Sequence, residues 1–171
     1  IVGKNAFKKH NHFAGTDEER QSDLQLALND KKIKAIWCSR GGYGTVRIID
    51  QLDFTAFQKN PKWIVGYSDI TTLHSTLHNL GFASIHASMP GGMKRATEEA
   101  KQTLYKALFG YSYGLEIPTN PLNKVGNAKG ILIGGNLSIV NSMIGSVSEV
   151  NLYDKILFIE DLDEYLYHID R

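Results

Sequence analysis

The sequence predicts an α/β fold: an N-terminal, mostly parallel sheet with flanking helices, a linker, then the start of a second α/β or β-rich domain. Short apolar runs that suit buried strands alternate with segments of helical period. These runs end in glycine-rich or small polar turns, the rhythm of successive β-α-β units. After Gly110 the rhythm stops in a stretch with two prolines and two asparagines, and it resumes near Gly130.

Each element has its own signal. Thr16 followed by Glu19 is a capping box opening a helix to Asn29, with Leu24, Leu26 and Leu28 along it. Ile33 to Cys38 is an apolar strand that runs into Arg40-Gly-Gly-Tyr-Gly44, and Val46 to Leu52 suits a short helix. Lys62 to Tyr67 is a second strand. It leads directly through Ser68 into a helix with Ile70, Leu73, Leu77 and Leu80 on one face and Gly81 as its stop. Phe82 to His86 is a third apolar run, followed by a loop at Met89 to Gly92 and a helix from Ala96 to Phe109. Gly130 to Gly134 and Lys155 to Ile159 are strands flanking a helix at Leu137 to Ile144. The expected organisation is therefore an N-terminal domain at 1–110, incomplete at its start, a linker at 111–126 and the beginning of a C-terminal domain at 127–171.

Composition narrows the partners. With 19 basic against 18 acidic residues, the net charge of +1 gives no reason to expect nucleic acid or an anionic membrane. No apolar run is long enough to span a bilayer. The single cysteine, Cys38, excludes an intrachain disulfide and a cysteine-built metal cage, and its apolar setting suits a buried, inert thiol. The chain begins with Ile1 and stops at Arg171 shortly after a strand-like run, so both ends are expected to be cut.

Three places carry chemistry. Ser68, in Gly66-Tyr-Ser-Asp-Ile70, stands at a strand-to-helix junction, where free N–H groups favour developing negative charge; the N–H of Asp69 is the natural first oxyanion donor. The plain alternative is that Ser68 merely caps the helix. Arg40 to Gly44 is a glycine loop at a strand end, able to nest an anion or simply to turn; it lacks the spacing of a nucleotide loop. Glu160, first of the acidic run Glu160-Asp-Leu-Asp-Glu164, follows a strand and is placed to orient a histidine, to bind a metal or to stay solvated. His74 and His78 have metal-ligand spacing but no acidic third ligand beside them.

Together with His12 to Arg20, Ile36 to Gly44, Gly66 to Thr71, Ile85-His86, Gly134 to Ser138 and Leu157 to Asp161, these signals resemble the LD-carboxypeptidase family in the family's order. The resemblance implies a cytoplasmic, homodimeric Ser–Glu–His hydrolase. Its implied reaction releases a terminal D-amino acid, typically D-alanine, from murein tetrapeptide, cutting between an L-centre and a D-residue. It implies Ser68 as nucleophile, Glu160 as orienting acid and the N–H groups of Asp69 and Gly42 as the oxyanion hole, with Gly41 and Gly44 as loop alternatives. Arg40, Gly41 and Asn136 are the implied substrate contacts. The family's histidine lies well downstream of the acid, so the base is expected outside this chain, and His168 falls outside the catalytic set. On this reading residues 1–171 alone do not catalyse, and the strands between Gly130 and Ile159 lack partners. Two other readings stay open: a same-fold hydrolase of a peptidyl-nucleotide antibiotic, and a non-catalytic module that binds a small anion. No cofactor and no metal are expected, because no cysteine cluster, His-Glu-x-x-His or aspartate-rich loop is present. EDTA treatment of the full-length protein should leave its activity intact; loss restored by zinc would mean a different chemistry.

Overall fold

A computed structural model describes residues 1–170 and divides into two parallel sheets around one central helix. The first sheet holds β1 (Ala35–Trp37), β2 (Trp63–Gly66) and β3 (Ile85–His86) in the order β1-β2-β3. All its pairings are parallel, with Ile36 opposite Ile64 and Val65 opposite Ile85. The second sheet pairs β4 (Ile131–Asn136) with β5 (Lys155–Glu160), again in parallel, in six successive pairs from Ile131–Lys155 to Asn136–Glu160. The expectation that these two strands lack partners is therefore corrected: each satisfies the other. Their outer surfaces do stay bare, with Leu132, Leu157, Phe158 and Ile159 exposed.

Local sequence chemistry explains the helices. Helix α1 (Asp17–Asn29) opens on the capping box: Thr16 Oγ1 accepts from the Glu19 N–H at 3.3 Å, and the Glu19 carboxylate accepts from the Thr16 N–H at 3.0 Å. Its far end is closed from another element. Lys62, almost fully buried, donates its ammonium to the carbonyls of Ala27, Leu28 and Asp30 at 2.7–2.9 Å, meeting acceptors the helix leaves unpaired. Leu28 is buried and Leu24 packs on the core, while Leu26 faces solvent. Residues two apart stand on opposite sides of a helix, so the three leucines do not share a face.

The core lies between α1, the short helix α2 (Thr55–Lys59), β2 and helix α3 (Thr71–Asn79), around Leu28, Phe57, Ile64, Leu73 and Leu77. Burying one such side chain stabilises the fold by about 1.5–3 kcal/mol. Two 3₁₀ turns, Thr45–Arg47 and Ile49–Gln51, replace the single helix expected over Val46 to Leu52. The loop expected at Met89 to Gly92 contains a third such turn. Helix α4 (Glu98–Phe109) is capped by Thr97 and ends at Gly110 in the left-handed conformation. Residues 111–130 contain neither helix nor strand. Helices α5 (Leu137–Ser142) and α6 (Leu166–Asp170) follow the strands of the second sheet; α6 has no counterpart in the sequence reading.

Helix α3 joins the two halves. Its first face packs under β2 and β3, and its other face carries Thr71, Thr76 and Asn79. Thr71 Oγ1 accepts from the Asn136 N–H at 3.0 Å, Thr76 Oγ1 meets Ser148 Oγ at 3.1 Å, and Asn79 donates to the Glu149 carbonyl at 2.8 Å. His74 anchors α3 to the end of β2. Its Nε2 lies 3.0 Å from the Gly66 carbonyl, which can only accept, so Nε2 holds the proton and Nδ1 accepts from the Ser84 hydroxyl at 2.7 Å. Both nitrogens are thus engaged, leaving no pair with His78 for a metal.

Burial pushes the His74 pKa down from 6.5 to about 4, opposed by the bond to Gly66. In the unfolded chain the ring gains its proton below pH 6.5; in the folded protein it does so only near pH 4. Stability owed to neutral His74 is complete above pH 6.5 and is lost as pH falls towards 4, by up to about 3 kcal/mol. His74→Gln should flatten the fall in urea midpoint across that window; an unchanged pH profile would place the acid sensitivity elsewhere.

Candidate active site

Residues 66 to 71 form a tight elbow between β2 and α3. Ser68 has φ of 63°, in the left-handed region that a serine adopts at a cost of about 1–3 kcal/mol. An N-cap residue has extended dihedrals and a side chain bonded to the helix; here Tyr67 precedes the 3₁₀ turn Ser68–Ile70, and no side chain caps it. The plain capping alternative is thus removed. The Ser68 side chain makes no hydrogen bond among the described residues, and the residue is half-buried. Gly66 makes the elbow compact: a Cβ there would fall 2.8 Å from Ile70 Cγ1.

The glycine loop lies over this elbow. A Cβ on Gly41 would stand 3.1 Å from Ser68 Cβ and 3.3 Å from its Oγ, so the loop backbone touches the serine directly. Gly42 is exposed, with φ of 101°, and nothing lies within 4 Å of where its Cβ would be. Arg40 is exposed and makes no hydrogen bond or ion pair among the described residues, which leaves its guanidinium open beside the loop. The loop's exit is fixed. Gly44 holds φ of 128° and its carbonyl accepts from Arg20 Nη1 at 3.0 Å, while Arg47 binds Asp17 through two nitrogens. Before the loop, Cys38 packs against the core. Burial and the nearby Asp69 charge push its thiol up to about 12, so it stays protonated and inert.

Glu160 reaches the elbow through β5. Asn136, its partner across the sheet, is bound to Thr71, three residues after Ser68. The Glu160 carboxyl is held above the usual range, first by burial and then by the neighbouring Asp161 charge; the Asn136 amide and the Ser68 N–H pull the other way. Glu160 Oε1 is buried without a hydrogen-bond partner among the described residues.

The rest of the acidic run divides by role. Asp161 accepts from Ser138 N–H at 3.0 Å, Ser138 Oγ at 2.7 Å and Asn136 Nδ2 at 3.0 Å. Burial raises its pKa, but these bonds outweigh burial and hold the carboxyl below its ordinary value. Asp161 therefore clamps the start of α5. Asn136 donates to Asp161, and its Oδ1 accepts from Ile139 N–H at 3.1 Å, so its amide holds the same junction. Glu164 is bonded to His168. Among the described residues no histidine bonds Ser68 or Glu160. His86, its pKa lowered by burial, stacks edge-on between Tyr67 and Phe158 at centroid distances of 6.1 and 5.0 Å. It also lines a cleft of about 360 Å³ with Tyr67, Ser88 and Leu104, beside the elbow and not at Ser68 itself.

The sequence reading missed three residues that hold this arrangement: Thr45, Thr71 and Asp161. Each belongs to or adjoins a block already singled out, but a hydroxyl or carboxylate that bonds a residue distant in sequence leaves no local pattern.

Two family models match the chain: the LD-carboxypeptidase N-terminal domain over residues 1–87 and the LD-carboxypeptidase C-terminal domain over residues 129–171. The chain belongs to the LD-carboxypeptidase family. Among its relatives is a protein of Bacillus subtilis named "Probable murein peptide carboxypeptidase", 40% identical over 99% of this chain and 55% of its own length. The muramoyltetrapeptide carboxypeptidase of Oxalobacter formigenes superposes with a TM-score of 0.80 at 27% identity, over 96% of this chain and 57% of that one. The microcin C7 self-immunity protein MccF, solved with adenosine monophosphate, superposes at 0.83 and 22% identity, over 99% of this chain and 61% of that one; this likeness shows the fold alone. The chain thus spans a little over half the length of these LD-carboxypeptidase relatives.

Gly41→Ala tests the loop contact. Its backbone is not left-handed, so the fold should survive while the new methyl displaces Ser68. If Ser68 is the nucleophile, turnover in the full-length protein should fall by roughly a hundredfold with an unchanged melting temperature. Full turnover would show that activity does not depend on the packing of Gly41 against Ser68.

Proposed function

We propose that the full-length protein is a serine carboxypeptidase of the LD type, releasing a terminal D-amino acid, D-alanine first, from murein tetrapeptide. The observation that carries this reading is the elbow itself: a serine held at φ of 63° beneath a glycine loop, with a buried, unpartnered carboxylate oxygen beside its backbone. A strained serine at a strand-to-helix turn is what acyl transfer requires, because the hydroxyl is presented away from the sheet towards donors on two sides.

In this mechanism Ser68 Oγ attacks the carbonyl carbon before the D-residue as its proton passes to a histidine. Glu160 Oε1 holds that histidine, supplied by a part of the protein beyond these residues. The N–H groups of Asp69 and Gly42 receive the oxyanion. The protonated base then gives its proton to the leaving amine, and water releases the acyl group by the same route in reverse. Arg40, open beside the loop, suits the free carboxylate of the departing D-residue, and Gly41 lets that end of the substrate approach closely. Asn136 remains in the substrate set only through the one amide N–H not given to Asp161. The relatives' names support a murein peptide substrate. A cytoplasmic homodimer belongs to the same reading; the described helices include none long and apolar enough to cross a membrane.

The experiment is turnover of a tetrapeptide ending in L-lysyl-D-alanine or diaminopimelyl-D-alanine by the full-length protein, beside its Ser68→Ala variant and an aminoacyl sulfamoyl adenosine as competing substrate. Ser68→Ala should lose several orders of magnitude in turnover and all labelling by a fluorophosphonate. Near-normal cleavage by that variant would sink the serine mechanism. Preference for the nucleotide conjugate would move the protein to the antibiotic-cleaving reading, and no turnover or labelling at all would leave an anion-binding module.

A further inference from the structure

We infer that the side-chain carboxylate of Asp69 is a positioning residue: it fixes the glycine loop against the elbow and so sets the distance between the two oxyanion donors. The inference rests on the serine mechanism proposed above. Asp69 contributes its backbone N–H as one donor, while its side chain turns away from solvent towards the loop. Only 4% of the residue is exposed. Its Oδ2 accepts two hydrogen bonds from one residue, Thr45: the backbone N–H at 2.9 Å and the hydroxyl at 2.7 Å. Thr45, itself buried, is the first residue after the glycine loop and opens the 3₁₀ turn that closes it.

Arg20 and the Asp17–Arg47 pair hold the same stem from the outer side. Those contacts fix the stem to α1 and leave its distance from Ser68 open. Among the described hydrogen bonds, those from Thr45 to Asp69 tie the stem to the residue next to the nucleophile. A carboxylate in this place forms charge-assisted bonds, roughly twice as strong as those to a neutral acceptor. Its other oxygen, Oδ1, is buried without a partner among the described residues. A carboxylate kept under those conditions is costly unless the contact it makes is needed. Rate is where that need would show, because the oxyanion forms only in the transition state.

The test uses the full-length protein with Asp69→Asn, which keeps the shape and removes the charge, Thr45→Val, which removes the hydroxyl, and Thr45→Ser, which retains it. Asp69→Asn and Thr45→Val should each lower kcat, and the rate of fluorophosphonate labelling of Ser68, by about 10- to 100-fold. KM should stay within about twofold and Thr45→Ser should recover most of the rate. Melting temperatures separate this from a packing role: a loss of rate that tracks a loss of folded protein overturns the inference. So does unchanged kcat in both variants while Ser68→Ala is dead, or an effect confined to KM. If Asp69→Asn does not fold, Thr45→Val and Thr45→Ser decide the matter alone. An unmodified protein that neither turns over tetrapeptide nor takes the label removes the serine mechanism, and the inference falls with it.

Discussion

The arrangement depends on how closely the backbone of β4 approaches the first turn of α3. A Cβ on Gly135 would lie 2.4 Å from Thr71 Oγ1, and one on Gly134 would lie 1.9 Å from the Phe158 carbonyl oxygen. Both glycines have left-handed φ, 117° at Gly134 and 141° at Gly135, so no other residue fits either place without moving a strand. Because the side chains are absent, Thr71 reaches the Asn136 N–H, and the register Asn136–Glu160 then brings the end of β5 to the elbow. Two sheets that share no strand pairing thereby deliver one serine and one carboxylate to the same spot. The site is made by an interface, and the interface by two missing Cβ atoms.

Neighbouring carboxylates at that interface are driven apart in acidity. Glu160 is half-buried, with one buried oxygen that has no donor among the described residues, while Asp161, one residue on, is surrounded by donors from Ser138 and Asn136. Burial first, and then repulsion from the Asp161 charge, raises the Glu160 pKa, while its own hydrogen bonds hold Asp161 below its ordinary value. Under the proposed mechanism Glu160 holds a cationic imidazole during turnover, and an acid in that role gains from this. Its spare oxygen and its unmet demand for a donor both favour a partner that brings an N–H. Asp161, saturated, offers no such opening.

Much of this was legible in the sequence, for identifiable reasons. The capping box at Thr16, the stops at Gly81 and Gly110, and the strands of both sheets lie in short windows where one physical effect dominates. The elbow and the acidic strand end were visible as residue types in the right order. What could not be read was pairing at a distance. Nothing near Gly130 announces that β4 finds its partner in β5, and Leu26 looks like its neighbours until the helix period turns it outward. Asn136 carries the side chain expected of a substrate contact, yet its amide is bonded to Asp161 and Ile139. Thr45 and Thr71 look like ordinary hydroxyl residues; their roles come from the atoms they meet across 24 and 65 residues of chain.

The strain at Ser68 is sustained because the residues around it have no freedom to relax it. Ile70 is wedged where Gly66 has no side chain, Asp69 is tied to Thr45, Thr71 is tied to Asn136, and His74 grips the Gly66 carbonyl from one turn further on. These contacts go to three different parts of the fold, the end of β2, the stem of the glycine loop and β4, so returning Ser68 to an ordinary φ would require moving several at once. A cost of about 1–3 kcal/mol is small beside that combined restraint. The elbow is therefore stiff for the same reason that it is strained. A stiff elbow suits acyl transfer, since donors and nucleophile that are already in place need no reorganisation when charge develops. Stability given up at one residue is what keeps the serine hydroxyl free of hydrogen bonds within the fold and turned towards the loop.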